Sequence, residues 1–463
     1  MNSVDSVLAK VDANLDESVA RLFDFLKIPS ISTDPAHKGD CRTAADWIAQ
    51  TLQDIGLDAS VRQTDGHPMV VAHDREGGEK SGPHVLFYGH YDVQPVDPLD
   101  LWERAPFEPF LQDGPDGRTL IVARGASDDK GQLMTFVEAC RAYKEETGSL
   151  PIRVTILLEG EEESGSPSLE PFLEANKEEL SHDLAMVCDT GMWDLKTPGI
   201  TTMLRGMLCE ELTVTGPDRD LHSGMYGGAA RNPIHVLAKV IADLRDDEGR
   251  IQVPHFYEGV IDMPDSVTEE WAKLGATDAR MLSGIDLEVP AGEKGFSALE
   301  QTWIRPTCEV NGISGGYAGD GFKTVIASVA SAKVSFRLVG HQDPDAIQKN
   351  FRSFVEERIP EDCSVAFHCH GSAPAIFVPA DSAAIRKGRE ALAEEWGKSA
   401  ALLGCGGSIP IVGEFKRILG MDSLLVGFAL DDDNVHSPNE KYDLTCYHKG
   451  TRSWVRILSK LSE

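Results

Sequence analysis

Apolar positions along the first part of the chain follow two periods. In LDESVARLFDFLKI, Val19, Leu22, Phe23 and Leu26 recur at helical spacing, and TAADWIAQTLQDIG repeats the stripe before stopping at Gly56, a residue suited to a helix C-terminus. Short unbroken apolar runs come next: HVLFYG, TLIVARG, IRVTILLEG and DLAMVC, with SLLVGFAL near the other end of the chain. Strand-like runs alternating with helices predict an α/β fold, an open and mostly parallel sheet with helices on both faces. Ligands collect beyond the carboxyl ends of the strands in such sheets.

The middle of the chain has a different order. GMLCEELTVTG reads as a strand, and RNPIHVLAKVIADLRDDEG as a helix with Asn232 at its cap, Pro233 in its first turn and an apolar stripe of Ile234, Leu237, Ile241 and Leu244. TCEVNGISGG and KVSFRLVG follow as strands, DPDAIQKNFRSFVEERI as a helix and SVAFHCHG as a strand. Strand, helix, strand, strand, helix, strand makes a self-contained α+β (ferredoxin-like) unit. It is predicted to span residues 206–376, inserted into a discontinuous domain made of residues 1–205 and 377–463. Residues 250–306 carry no clear period.

Each apolar run of the outer domain is followed by groups that can bind metal. His90 and Asp92 follow the first, Asp128 and Asp129 the second, Glu161, Glu162 and Glu163 the third, Asp189 the fourth, and Asp431 to Asp433 and then His436 the fifth. Five such coincidences at one end of one predicted sheet imply a single cluster. The stretch LLEGEEESGS sharpens the point, because two like charges about 4 Å apart repel by roughly 4 kcal/mol at an effective dielectric near 20. A solvated acidic loop is the plain reading of such a run, and Asp431 to Asp433 are expected to be one.

Composition gives that plain reading weight, since 75 Asp and Glu stand against 44 Lys and Arg, for a net charge of −31 over 463 residues. Such a chain disfavours nucleic acid and anionic membranes as partners. No apolar stretch is long enough to span a bilayer, and the first residues lack the regions of a signal peptide, so a cytoplasmic protein is expected. The nine cysteines are scattered with no CxxC pair, which reads as reduced thiols.

Histidine and carboxylates without thiolates suit zinc, manganese or cobalt, and several carboxylates together suit a two-metal site. Asp128, Asp189, Glu162 and Glu163 would carry charge that two divalent cations balance, which would make the glutamate run tolerable. Two ions about 3.5 to 4 Å apart acidify a shared water and polarise a carbonyl, while an unligated carboxylate takes the proton. Amide hydrolysis follows from that chemistry. Spacing alone does not divide the roles among Glu161, Glu162 and Glu163. GCGGSIP contains no G-x-S-x-G elbow, which argues against Ser408 as a nucleophile, and NGISGGYAGDG lacks the lysine of a phosphate loop.

Taken in order, GHYDVQP, RGASDDKG, EGEEESGS, CDTGMW, DLHSGMYGG, VSFRLV, GGSIP and VHSPNE resemble the two-zinc aminoacylase, carboxypeptidase and dipeptidase family, and most of all its carnosinase-like dipeptidases. The resemblance implies two zinc ions per subunit, with manganese or cobalt as alternatives: His90 and Asp189 on one, Glu163 and His436 on the other, Asp128 bridging. It implies Glu162 as general base and Asp92 as the carboxylate that orients His90. His222 would complete the site of a partner subunit, making the active form a homodimer and the inserted unit a lid and dimerisation domain. Arg337, Thr324 and Ser408, with His370 as a looser match, would hold the substrate carboxylate. Two positions depart from the pattern: Cys405 stands where a glutamate receives the substrate amine, and Ala327 replaces a proline. Three functions follow as expectations: a metal-dependent dipeptidase, an N-acyl amino acid amidohydrolase of the deacetylase or desuccinylase type, or a non-catalytic relative that binds peptide or metal.

Overall fold

Successive residues of a strand face opposite sides of a sheet, and Phe87 and Tyr88 show what covers each side. Phe87 stacks on Phe136 of the helix Lys130–Thr147 with ring centroids 3.7 Å apart, whereas Tyr88 meets Phe415 of the helical turn Phe415–Leu419 edge-on at 5.7 Å. Helices therefore lie on both faces. The computed structural model describes residues 3–75, 80–407 and 409–463, and these fall into two compact units. The first comprises the chain up to Thr202 with Val378–Leu403 and Glu414–Glu463; the second comprises Met203–Phe377 with Gly404–Gly413.

The main sheet of the first unit runs in the order Asp58–Arg62, Met69–His73, Arg153–Glu159, His84–His90, Leu184–Val187, Asp422–Leu425, Gly199–Leu204. Its parallel part is the centre, from Arg153–Glu159 to Asp422–Leu425. The flanking ladders are antiparallel, so the sheet is mixed. One predicted member lies elsewhere. Thr119–Val122 pairs with Phe110–Asp113 and Lys441–Asp443 in a separate three-stranded antiparallel sheet. A short apolar run announces burial, but nothing in it names the strand it pairs with.

The first amphipathic helix, Leu15–Leu26, buries Val19, Leu22 and Leu26 as its period requires, but Phe25 takes the inward position expected of Phe23 and stacks on Trp47 at 4.6 Å. Phe25 lies three residues after Leu22, nearer the centre of the stripe than Phe23.

In the second unit the strand order is Thr307–Gly315, Val329–Leu338, Gly206–Thr215, Ser364–Ala373, every ladder antiparallel. This is the pairing that a strand, helix, strand, strand, helix, strand chain adopts when both helices pack on one face. The helices Pro233–Ala242 and Pro344–Glu356 cover a core that includes Leu208, Leu212, Val334, Phe336 and Phe351. Asn232 caps the first of them, its Oδ1 accepting from Ile234 N at 2.9 Å. The aperiodic stretch 250–306 holds short helices, and the last, Ala298–Trp303, begins with a capping box between Ser297 and Glu300.

Candidate metal centre

Three central strands of the first unit end at the same edge of the sheet and deliver the chemistry there. His90 closes His84–His90 and sits in register with Glu159, the last residue of its neighbour, while Asp189 follows Leu184–Val187 by two residues. Gly160 lets the glutamate run turn back over the sheet, since a Cβ there would lie 2.4 Å from the Tyr91 ring.

Within this edge, His90 Nε2 lies 3.1 Å from Asp128 Oδ1 and 4.0 Å from Asp189 Oδ2. His436 Nε2 lies 2.9 Å from Asp128 Oδ2 and 3.3 Å from Glu163 Oε2. Two groups that could hold a metal ion result, His90 with Asp128 and Asp189, and Asp128 with Glu163 and His436. They share Asp128, one carboxylate oxygen facing each histidine. His436 adopts a left-handed backbone with φ of 61°, a strained conformation for a residue with a side chain.

The glutamates are sorted by what holds them. Glu161 is committed elsewhere, accepting from His67 N at 2.8 Å and Ser168 N at 3.1 Å. Asp92 fixes the other two through their backbones, its Oδ1 accepting from Glu162 N at 3.3 Å and its Oδ2 from Glu163 N at 3.0 Å. Asp92 also reaches the other ring nitrogen of His90, with Nδ1 3.3 Å from Oδ1 and 3.1 Å from the backbone carbonyl. Gln94 donates to Glu163 Oε2 at 2.7 Å.

Electrostatics register the crowding. Burial pushes Asp189 well above the usual carboxylate range, and the Asp128 charge adds to it. Glu162 is raised by burial and by the charges of Glu163 and Asp128, against the pull of His90. Burial opposes ionisation of Asp128 too, but its bonds to His436 and His90 hold it below the ordinary value. Those to Asp128 and then Glu163 bring His436 up to about 10. Carboxylates crowded this closely gain from positive charge placed between them. The donor set fits divalent cations on a further count: Glu163 Oε1 is buried without a hydrogen-bond partner among the described residues, a costly arrangement that a cation would relieve.

Several supporting residues went unnoticed in the sequence. Glu440 is fully buried and accepts from the backbone N–H of Gly125, Ser127 and Asp128 and from Arg124 Nη1. Asp433 is buried as well, accepting from Ser127 Oγ at 2.8 Å and Leu430 N at 2.8 Å, so the expected solvated acidic loop is exposed only at Asp431 and Asp432. An acidic triplet reads as solvent-facing unless the donors awaiting it are known, and one of them, Ser127 Oγ, sits 306 positions away.

The remaining expected residues belong to the second unit. His222 is exposed, accepts from Gly224 N at 3.0 Å through Nδ1, and pairs with Val325 across a two-stranded ladder, next to Thr324. His370 Nε2 lies 2.9 Å from Glu211 Oε2. Arg337 lines a cavity of about 500 Å³. Ser408 lies outside the described residues.

Comparison with known proteins agrees with this fold. Residues 86–460 match the model of the peptidase family M20/M25/M40. The chain is 29% identical to the Cys-Gly metallodipeptidase dug1 of Schizosaccharomyces pombe, over 99% of its own length and 98% of that protein. It is 27% identical to the Beta-Ala-His dipeptidase of Homo sapiens, over 99% and 93%. Among solved structures, the M20 family metallo-carboxypeptidase Sso-CP2 from Sulfolobus solfataricus superposes with a TM-score of 0.81 at 31% identity, covering 96% of this chain and 99% of that one.

Proposed function

Since the chain belongs to the peptidase family M20/M25/M40, we propose that it is a dipeptidase that hydrolyses the amide bond of small substrates bearing a free carboxylate, with two zinc ions as its cofactor. The observation that carries this reading is the sharing of Asp128 between the two donor groups, one oxygen toward each. His90 and Asp189 would hold one ion, Glu163 and His436 the other, with Asp128 bridging; manganese or cobalt would suit the same donors. When bound, a pair of divalent ions supplies positive charge that polarises a carbonyl and acidifies water.

The chain's own groups do the rest. Glu162 is the one carboxylate of the run neither committed to the backbone, as Glu161 is, nor in a donor group, as Glu163 is. It takes a proton from the attacking water and returns it to the leaving amine. Asp92 holds His90 in orientation and fixes the backbone that presents Glu162. Arg337, Thr324, Ser408 and His370 receive the substrate carboxylate, for which a guanidinium fork is well shaped. His222 is supplied by a partner subunit to the scissile carbonyl, as an oxyanion donor, so the working form is a homodimer with the inserted unit as lid. Nine free cysteines accord with the cytoplasm, and none of the described helices is long and apolar enough to cross a membrane.

A second reading has one observation in its favour. Cys405 occupies the position at which the resembling dipeptidases receive the substrate amine, which favours an N-acyl amino acid. Assays of Cys-Gly, β-Ala-His and other dipeptides beside acetyl and succinyl amino acids, each with zinc, manganese and cobalt, separate the readings. Turnover of free-amine substrates supports the dipeptidase; turnover of acylated ones alone replaces it with the amidohydrolase; no turnover overturns both.

A further inference from the structure

The cavity beside Arg337 lies wholly within the second unit and, at about 500 Å³, falls inside the roughly 300 to 1,000 Å³ range of small-molecule sites. Four arginines line it, Arg205, Arg245, Arg305 and Arg337, against two acids, Glu293 and Glu309. Both acids are already taken. Glu309 pairs with Arg245 at 2.5 Å, and Glu293 receives Arg305 through Nε at 2.9 Å and Nη2 at 2.7 Å, with Arg250 on its other oxygen.

Arg205 is left differently placed. Its Nε donates to the Gly406 carbonyl at 2.9 Å, and among the described residues no carboxylate pairs with it. Arg205 immediately precedes the strand Gly206–Thr215, whose Met207 lies opposite Arg337, and it lines the same cavity as Arg337. Burial first, and then the Arg337 charge, bring Arg205 down to about 10, far below a free guanidinium. A partly buried guanidinium with a like charge nearby and no carboxylate of its own is costly, and an anion brought to it relieves that cost.

We infer that Arg205 is a specificity residue for a second carboxylate, so that the preferred substrates carry an acidic C-terminal residue. This rests on the reading above, in which Arg337 takes the terminal carboxylate; Arg205 then takes the side-chain carboxylate of a C-terminal Asp or Glu. A neutral side chain of the same shape leaves the Arg205 charge uncompensated, which is how a buried polar group rejects an isostere.

The test compares Gly-Glu with Gly-Gln, which differ by one charged group. Wild-type kcat/KM is expected to favour Gly-Glu by about tenfold or more, the usual worth of a charge-assisted hydrogen bond. Arg205→Met brings that ratio to about one, and Arg205→Lys, which keeps the charge but not the fork, retains part of it. Equal wild-type rates, or a ratio that Arg205→Met leaves intact, overturn the inference. If Arg205→Met gives no cooperative melt, the wild-type ratio and Arg205→Lys decide. Calorimetric binding of both dipeptides to Glu162→Gln separates this inference from the hydrolase reading. Tighter Gly-Glu binding without turnover by the wild type keeps the subsite and removes the hydrolase; turnover of both without preference does the reverse.

Discussion

The backbone N–H of Asp128 donates to Oε1 of Glu440 at 3.0 Å, across 312 positions of sequence. With its bonds to Gly125, Ser127 and Arg124, Glu440 sets the loop that aims both oxygens of Asp128. Glu440→Gln swaps one acceptor oxygen for an amide that faces N–H groups or a guanidinium. Metal affinity by calorimetry is expected to fall about 10- to 100-fold, the range for groups that support ligands, while the fold melts cooperatively. Unchanged affinity would show that the loop holds Asp128 without it.

Glu162→Gln leaves the donor groups complete and removes only the proposed base. Turnover is expected to fall by about 10² to 10⁴, with metal content by atomic absorption and melting temperature unchanged. Retained turnover would remove Glu162 from proton transfer.

Metal should act as a folding ligand, because buried Glu163 Oε1 and the raised Asp189 gain a partner with it. Zinc at about 100 times its dissociation constant is expected to stabilise the metal-depleted protein by about 2.7 kcal/mol in thermal melts. Asp128→Asn should lose most of that gain, since it weakens both donor groups at once.

The proposed dimeric site predicts complementation. His222→Ala and Glu162→Gln should each be inactive alone, and a refolded equimolar mixture should recover about a quarter of wild-type activity, because half the dimers are mixed and each has one intact site. No recovery in a mixture shown to exchange subunits would mean that His222 serves its own chain or none.

Far from the metal centre, His84 and His182 stack with ring centroids 3.5 Å apart, and both lie about 3 Å from Thr155 Oγ1. Burial, and then the His84 charge, lower His182 to about 4, against roughly 6.5 in an unfolded chain. A folded value below the unfolded one means that the unfolded state takes the proton first as pH falls, so stability present above about pH 6.5 is lost toward pH 4. The melting temperature should drop between pH 7 and pH 5, and His182→Asn should flatten that drop in calorimetry.

The sequence by itself determined the repeating elements and the chemical content of the site. Helical stripes such as Val19, Leu22 and Leu26, the succession of strands and helices along the inserted unit, and the donor types His90, Asp128, Glu163, Asp189 and His436 follow from local periods and residue identity, which short-range physics controls. What only the tertiary structure decided is everything that needs a distant partner. It separated Thr119–Val122 from the main sheet, gave each oxygen of Asp128 its own histidine, turned Glu161 away, buried Asp433 against the distant Ser127 hydroxyl and Glu440 against N–H groups far along the chain, and left Arg205 beside Arg337. Whether a carboxylate faces water or a donor depends on which distant backbone is folded against it, and no local pattern carries that information.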